Sequence, residues 1–279
     1  MKHLIQIFTS LIIIFSSFNS FADVSPLSLA EHYTNLKNYD AAITEYKRFL
    51  FFHPDDDKVP EIYLRIGTLH RNLGLLPEAI DAIRQAVIRT SDKEQKSEHQ
   101  IDLAVVLIAN KDYDLARLEL IKVLIRNPSE TLYKRALLLQ GVTYVYQFRW
   151  EEAQDIFNSY SQDEKLDELL QNAENLPYKS KLSAKILSGI LPGSGQFYAG
   201  NWKSGLNALA LNSALGYITI DSILDQYYVD AIMWTYFIFQ RYYQGNLYRA
   251  GKAVEEYNDE MNRSIADRIL LRLQEITNK

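Results

Sequence analysis

The sequence predicts an all-α chain, a helical solenoid of about four helix pairs followed by a hydrophobic helical hairpin. Three observations carry this. An alanine recurs every 37 residues (Ala42, Ala79, Ala116, Ala153), each three residues after Tyr39, Leu76, Tyr113 or Trp150 and four before Tyr46, Ile83, Leu120 or Phe157. A small residue stands twelve positions before each alanine, at Ala30, Gly67, Ala104 and Gly141. Eight of the eleven glycines lie at or beyond Gly189, where the chain turns strongly apolar. A constant period of this length marks stacked supersecondary units, each burying its apolar face against the next.

The first 22 residues read as an export signal. "MKH" gives a positive start, "LIQIFTSLIIIFSSF" an apolar stretch too short for a bilayer span, and Ser20 and Ala22 the small residues that precede cleavage. The chain of 279 residues is 47% hydrophobic, enough for a substantial core. Its formal charge of −5 is spread without like-charge blocks, which gives no electrostatic footprint for nucleic acid. With no cysteine, disulfides, thiolate nucleophiles and cysteine metal sites are excluded.

Residues 26–160 hold the repeats. A small residue in the first helix of each pair lets the second approach closely, and Pro54 and Pro128 stop the second helix of units one and three. The order small, aromatic, small, large, proline is met by Ala30, Tyr33, Ala42, Tyr46 and Pro54. It recurs as Gly67, His70, Ala79, Ile83 and Ala86, with Ser91 in the proline position, and as Gly141, Tyr144, Trp150, Ala153 and Phe157. This pattern resembles the tetratricopeptide repeat family, with a period of 37 where the family has 34. The resemblance implies a superhelix whose concave face, lined by the first helices, holds protein or peptide partners. Arg65, His70, Asp102, Gln140 and Tyr144 are the candidates for that face. His70 and Tyr144 also occupy the aromatic packing position.

Residues 161–181 are expected to form a linker, acidic at Asp163, Glu164, Asp167 and Glu168 and basic at Lys179 and Lys181. Residues 182–258 form the hydrophobic domain, with apolar pieces ending at Pro192, from Leu206 to Leu224, and from Val229 to Tyr243. Pro192 ends the first, and Gly193 and Gly195 are expected to take positive backbone angles in a reversal. Phe197, Tyr198 and Trp202 beside Lys203 form the aromatic cluster that a membrane interface favours. The residues Pro192, Gly193, Gly195, Gln196, Tyr198 and Gly200 resemble the Pro-Gly-x-Gly-Gln-x-Tyr-x-Gly signature of uncharacterised bacterial envelope proteins with a C-terminal hydrophobic domain. That resemblance implies location rather than activity. Residues 259–279 are expected as a C-terminal helix carrying Ile265, Ile269, Leu270 and Leu273 on one face.

Two readings of the hairpin stand side by side: seated at a membrane, or a soluble core with Trp234, Phe237 and Phe239 inside. Asn207, Asn212 and Asp221 interrupt its apolar run. The five histidines (3, 32, 53, 70, 99) form no metal-protease spacing, and "GSGQF" is only half a nucleophile elbow. No catalytic, cofactor-binding or metal-ligating residue is expected. Taken together, the sequence points to a non-enzymatic exported adaptor at the periplasmic face of the envelope. The alternatives are a soluble periplasmic peptide-binding module and an accessory factor for transport or membrane insertion.

Overall fold

The computed structural model describes residues 25–278, and the expected export signal over 1–22 lies outside them. Every regular element among the described residues is a helix. The described residues divide into two compact units, 25–143 and 144–278.

The first unit is built from α1 (Pro26–Asn35), α2 (Tyr39–Phe52), α3 (Val59–Asn72), α4 (Leu76–Arg89), α5 (Lys93–Ala109), α6 (Tyr113–Arg126) and most of α7 (Glu130–Tyr146). The helices pack as pairs, α1 with α2, α3 with α4 and α5 with α6, and each pair packs against the next. This is a tetratricopeptide-like solenoid. Its registry is the one the alanine period sets: Ala30, Ala42, Ala79, Ala104 and Ala116 are fully buried, and Tyr46, Ile83 and Leu120 fill the space beside them. Prolines stand in the first turns of α3 and α4, where a missing N–H costs nothing. Asn38 and Asp92 cap α2 and α5 through their side chains.

Each first helix ends in the same way. Lys37, Gly74, Lys111 and Phe148, again 37 apart, all have positive φ, at 57°, 77°, 67° and 57°. Behind each, the next amide reaches back five residues: Asn38 to Tyr33, Leu75 to His70, Asp112 to Leu107 and Arg149 to Tyr144, at 2.9 to 3.0 Å. A left-handed residue with this closure satisfies carbonyls the helix end leaves open. Only one of the four is a glycine.

The second unit contains α8 (Trp150–Tyr160), α9 (Glu164–Glu174), α10 (Lys181–Ile190), α11 (Ser194–Tyr198), α12 (Trp202–Leu224), α13 (Tyr228–Met233), a π-helical segment (Trp234–Phe239) and α14 (Gln240–Thr277). In α8, Ala153 and Phe157 of the fourth repeat are fully buried. Residues 161–181, read from sequence as a linker, hold α9, which buries Leu166, Leu169, Leu170 and Ala173 and packs on α8 and α14. Asp163 caps α9 through the Leu166 amide and accepts two hydrogen bonds from Arg272 of α14, at 2.9 and 2.6 Å. Residues 259–279 do not start a separate helix: α14 runs unbroken for 38 residues and carries the third apolar piece into the C-terminal segment. Ile265, Ile269 and Leu273 are buried along it, and Leu270 is half-buried.

Candidate functional site

The glycine motif builds a buried polar lock between α10, α11 and α14. Pro192 has no N–H to give to the carbonyl of Ser188, four residues back in α10. The Asn246 Nδ2 of α14 donates to that carbonyl instead, at 2.9 Å. The neighbouring Gly189 carbonyl accepts from the Tyr243 hydroxyl at 2.5 Å. Asn246 Oδ1 accepts from the Gly193 N–H and from Gln196 Nε2, both at 3.0 Å. Ser188 Oγ accepts from the Gly195 N–H and donates to Gln196 Oε1, both at 2.9 Å. Ser188, Gln196 and Asn246 are all buried, so the network is closed off from water.

The two motif glycines differ in backbone angle, although a Cβ on Gly193 would also stand well under 3 Å from a carbonyl oxygen, that of Gly205. Gly193 has φ +93°, as a reversal requires. Gly195, expected to share that conformation, does not: it sits in the first turn of α11, where a Cβ would stand well under 3 Å from the Ala184 carbonyl oxygen. Close approach of α11 to α10, not backbone angle, excludes a side chain there. Tyr198 accepts from the Ser180 N–H at 3.2 Å, and Gly200 closes α11 at φ +87°. Lys179 Nζ lies 3.5 Å from the Tyr257 ring centroid, and the Lys179 backbone exchanges two 3.0 Å bonds with Asn258. The motif therefore folds the domain: Gly193, Gly195 and Gln196 are committed inward, while Tyr198 and Gly200 stay exposed.

What the lock holds outward is apolar. Helix α12 is inside-out: it buries Gly205, Ala208, Asn212 and Leu215 while Leu206, Leu211, Tyr217, Ile220, Ile223 and Leu224 are exposed. A soluble amphipathic helix does the reverse. On α10, Leu182, Ile186, Leu187 and Ile190 are exposed, the last at 80%. On α13 and the π segment, Val229, Ile232, Met233, Tyr236 and Phe237 are exposed. The soluble-core expectation for Phe237 therefore fails, because the π segment buries none of its six residues. An apolar groove of about 690 Å³ runs between Ile223, Tyr228, Ile232, Tyr236 and Tyr243. No described helix is long and apolar enough to cross a membrane.

The five candidates for the partner-binding face are scattered in role. Arg65 donates to Glu31 at 2.9 Å, to Glu61 at 2.7 Å and to the Tyr46 hydroxyl at 3.3 Å; the Tyr46 bond above all raises its pKa. Asp102 accepts from Arg135 at 3.1 Å. Gln140 is buried, with no partner for its Oε1 among the described residues. Tyr144 lies in the second unit, with the Arg149 guanidinium 5.0 Å above its ring. His70 lines a cleft of about 690 Å³ between Lys47, Glu78 and Arg84. A ladder at the same period went unread: Phe51, Ile88 and Ile125, 78%, 62% and 79% exposed on α2, α4 and α6. Apolar residues at one register in three units were the available signal. Among the described residues no three His, Asp or Glu side chains come together to hold a metal.

Burial lowers the pKa of His70, aided by Lys47, and lowers that of His99, whose Nδ1 lies 3.0 Å from Thr90 Oγ1. Both bind a proton less readily in the fold than in the unfolded chain, whose histidines take up protons below about pH 6.5. The stability they support is thus present above that pH and is lost as pH falls through it toward their depressed folded values. The urea midpoint is expected to drop from about pH 7 to about pH 5, and H70Q/H99Q to flatten that slope.

No protein-family model matches the sequence, and no curated protein is similar to it. Among solved structures, the chain is similar to a tetratricopeptide repeat protein from Parabacteroides merdae ATCC 43184, with 14% identity over 90% of this chain and 91% of that one and a TM-score of 0.42. It is similar to the MamA protein, with 20% identity over 48% of this chain and 69% of that one and a TM-score of 0.41. It is similar too to the Rap conjugation gene regulator of plasmid pLS20, solved with the Phr* peptide, with 14% identity over 90% and 74% and a TM-score of 0.39.

Proposed function

We propose that this protein is a non-enzymatic adaptor exported to the cell envelope. Its helical repeats hold protein or peptide partners, and its C-terminal unit seats it on a membrane surface. The observation that carries this reading is the inverted helix α12, which apart from Leu215 buries small and polar residues and leaves most of its large apolar ones outside. Exposed apolar surface on this scale marks contact with lipid or protein. The exposed aromatics Phe197, Tyr198 and Trp202, with Lys203 5.8 Å from the Trp202 ring, supply interfacial anchors. In this reading the unit lies in the interface with its exposed apolar side chains toward the lipid. Export rests on the N-terminal pattern, and partner binding on the repeat architecture, which leaves one extended surface free.

The test is fractionation of the tagged full-length protein beside I186D/I190D, which charges exposed positions on α10. The wild type is expected to stay with membranes through high salt and leave only with detergent, and added protease is expected to cut its repeats in spheroplasts. The double variant is expected to fold with stability within about 1 kcal/mol of wild type, since neither side chain is buried, yet appear in the soluble fraction. Release of the wild type by osmotic shock alone would sink the membrane reading.

A further inference from the structure

Near the start of α14, two arginines stand four residues either side of a glycine: Arg241, Gly245 and Arg249. At 1.5 Å per residue each is about 6 Å from Gly245 along the axis and roughly on its face. Nothing lies within 4 Å of where a Gly245 Cβ would be, so the glycine leaves a gap between the two side chains. Across from it stand Asn207 and Asn212 of α12, and together these residues line an open cleft of about 570 Å³.

Two features of the cleft are unexplained by folding. Neither arginine has a hydrogen bond or ion pair with any described residue; the hairpin's acids, Asp221, Asp225 and Asp230, lie toward its turn. Asn212 is only 3% exposed, and its Nδ2 donates to the Ala208 carbonyl at 2.8 Å while its Oδ1 has no partner. A buried acceptor left open calls for a donor from water or a ligand. Guanidinium forks suit the oxygens of phosphate. Exposed Leu211, Phe237 and Tyr242 rim the cleft with apolar surface.

We propose that this cleft binds the phosphate of an anionic phospholipid whose headgroup carries a free hydroxyl. The arginines take the phosphate oxygens, Asn212 Oδ1 accepts from the hydroxyl, and the acyl chains lie on the apolar rim. The site rests on the reading of the C-terminal unit as membrane-seated.

Flotation of the full chain with vesicles of phosphatidylcholine, with and without phosphatidylglycerol, tests it. The wild type is expected to bind the anionic vesicles roughly 30-fold more tightly, the gain two cations give near such a surface. Arg241→Gln/Arg249→Gln is expected to lose nearly all of that gain while still binding phosphatidylcholine. Arg263→Gln/Arg268→Gln, which removes equal charge from exposed positions on the same helix, is expected to keep it. Equal losses in the two double variants would reduce the effect to general electrostatics and overturn the site. Equal wild-type binding to both vesicles overturns the site and leaves membrane seating standing, whereas binding to neither removes both. Release from anionic vesicles by millimolar glycerol 1-phosphate or inorganic phosphate would make a free phosphate the ligand and overturn the lipid assignment.

Discussion

Replacing Asn246 by leucine is expected to destabilise the C-terminal unit by roughly 4 kcal/mol, because it strips three partners from a buried network at once. The Gly193 N–H, the Gln196 amide and the Ser188 carbonyl all bond to the Asn246 side chain, and leucine keeps its size while offering none of those bonds. Ser188 is worst placed to recover, since its natural helical donor would be Pro192. All three tryptophans, 150, 202 and 234, fall in this unit, so tryptophan fluorescence during urea unfolding reports on it alone. An unchanged fluorescence midpoint in N246L would mean that water replaces the lock, and the motif would lose its structural explanation.

Gly195→Ala is the second large effect. The added methyl meets a backbone carbonyl at Ala184 and the hydroxyl of Ser188, and a carbonyl inside a helix cannot step aside. Overpacking of this kind is expected to cost about 3 kcal/mol, with α11 pushed away from α10. Gly200→Ala provides the comparison: its φ is +87°, yet nothing lies within 4 Å of the new methyl, so only the backbone preference is lost, about 1–2 kcal/mol. The ranking by fluorescence midpoint should therefore be wild type, then G200A, then G195A. Equal losses for the two variants would show that the helices part at little cost, and close approach would no longer explain Gly195.

The repeats were legible because their packing is local and periodic. Small residues at Ala30, Gly67 and Ala104 and alanines at Ala42, Ala79 and Ala116 fall where two helices touch, so burial could be read from register alone. The left-handed ends of the first helices were not legible at Lys37, Lys111 and Phe148. There the five-residue hydrogen-bond closure imposes a conformation the side chain does not advertise. Nor were the fates of Arg65 and Asp102, whose ion-pair partners Glu31 and Arg135 lie 34 and 33 residues away and meet them only through helix stacking.

By itself, the sequence determined the helical class, the 37-residue registry, the apolar character of the C-terminal unit and the place where its chain must reverse, since periodicity, composition and the Pro-Gly step are local properties. Tertiary structure alone decided that Gly195 serves close approach, that α14 is one helix of 38 residues, and that Asn246 completes the hydrogen bonds Pro192 cannot make. It alone also turned α12 inside-out. A run such as "LNALALNSALGYITI" carries large apolar residues around the whole helix, and its few polar ones do not gather on one face, so its own pattern does not select the face to be buried; the small residues Gly205 and Ala208 do so only when neighbouring helices close on them.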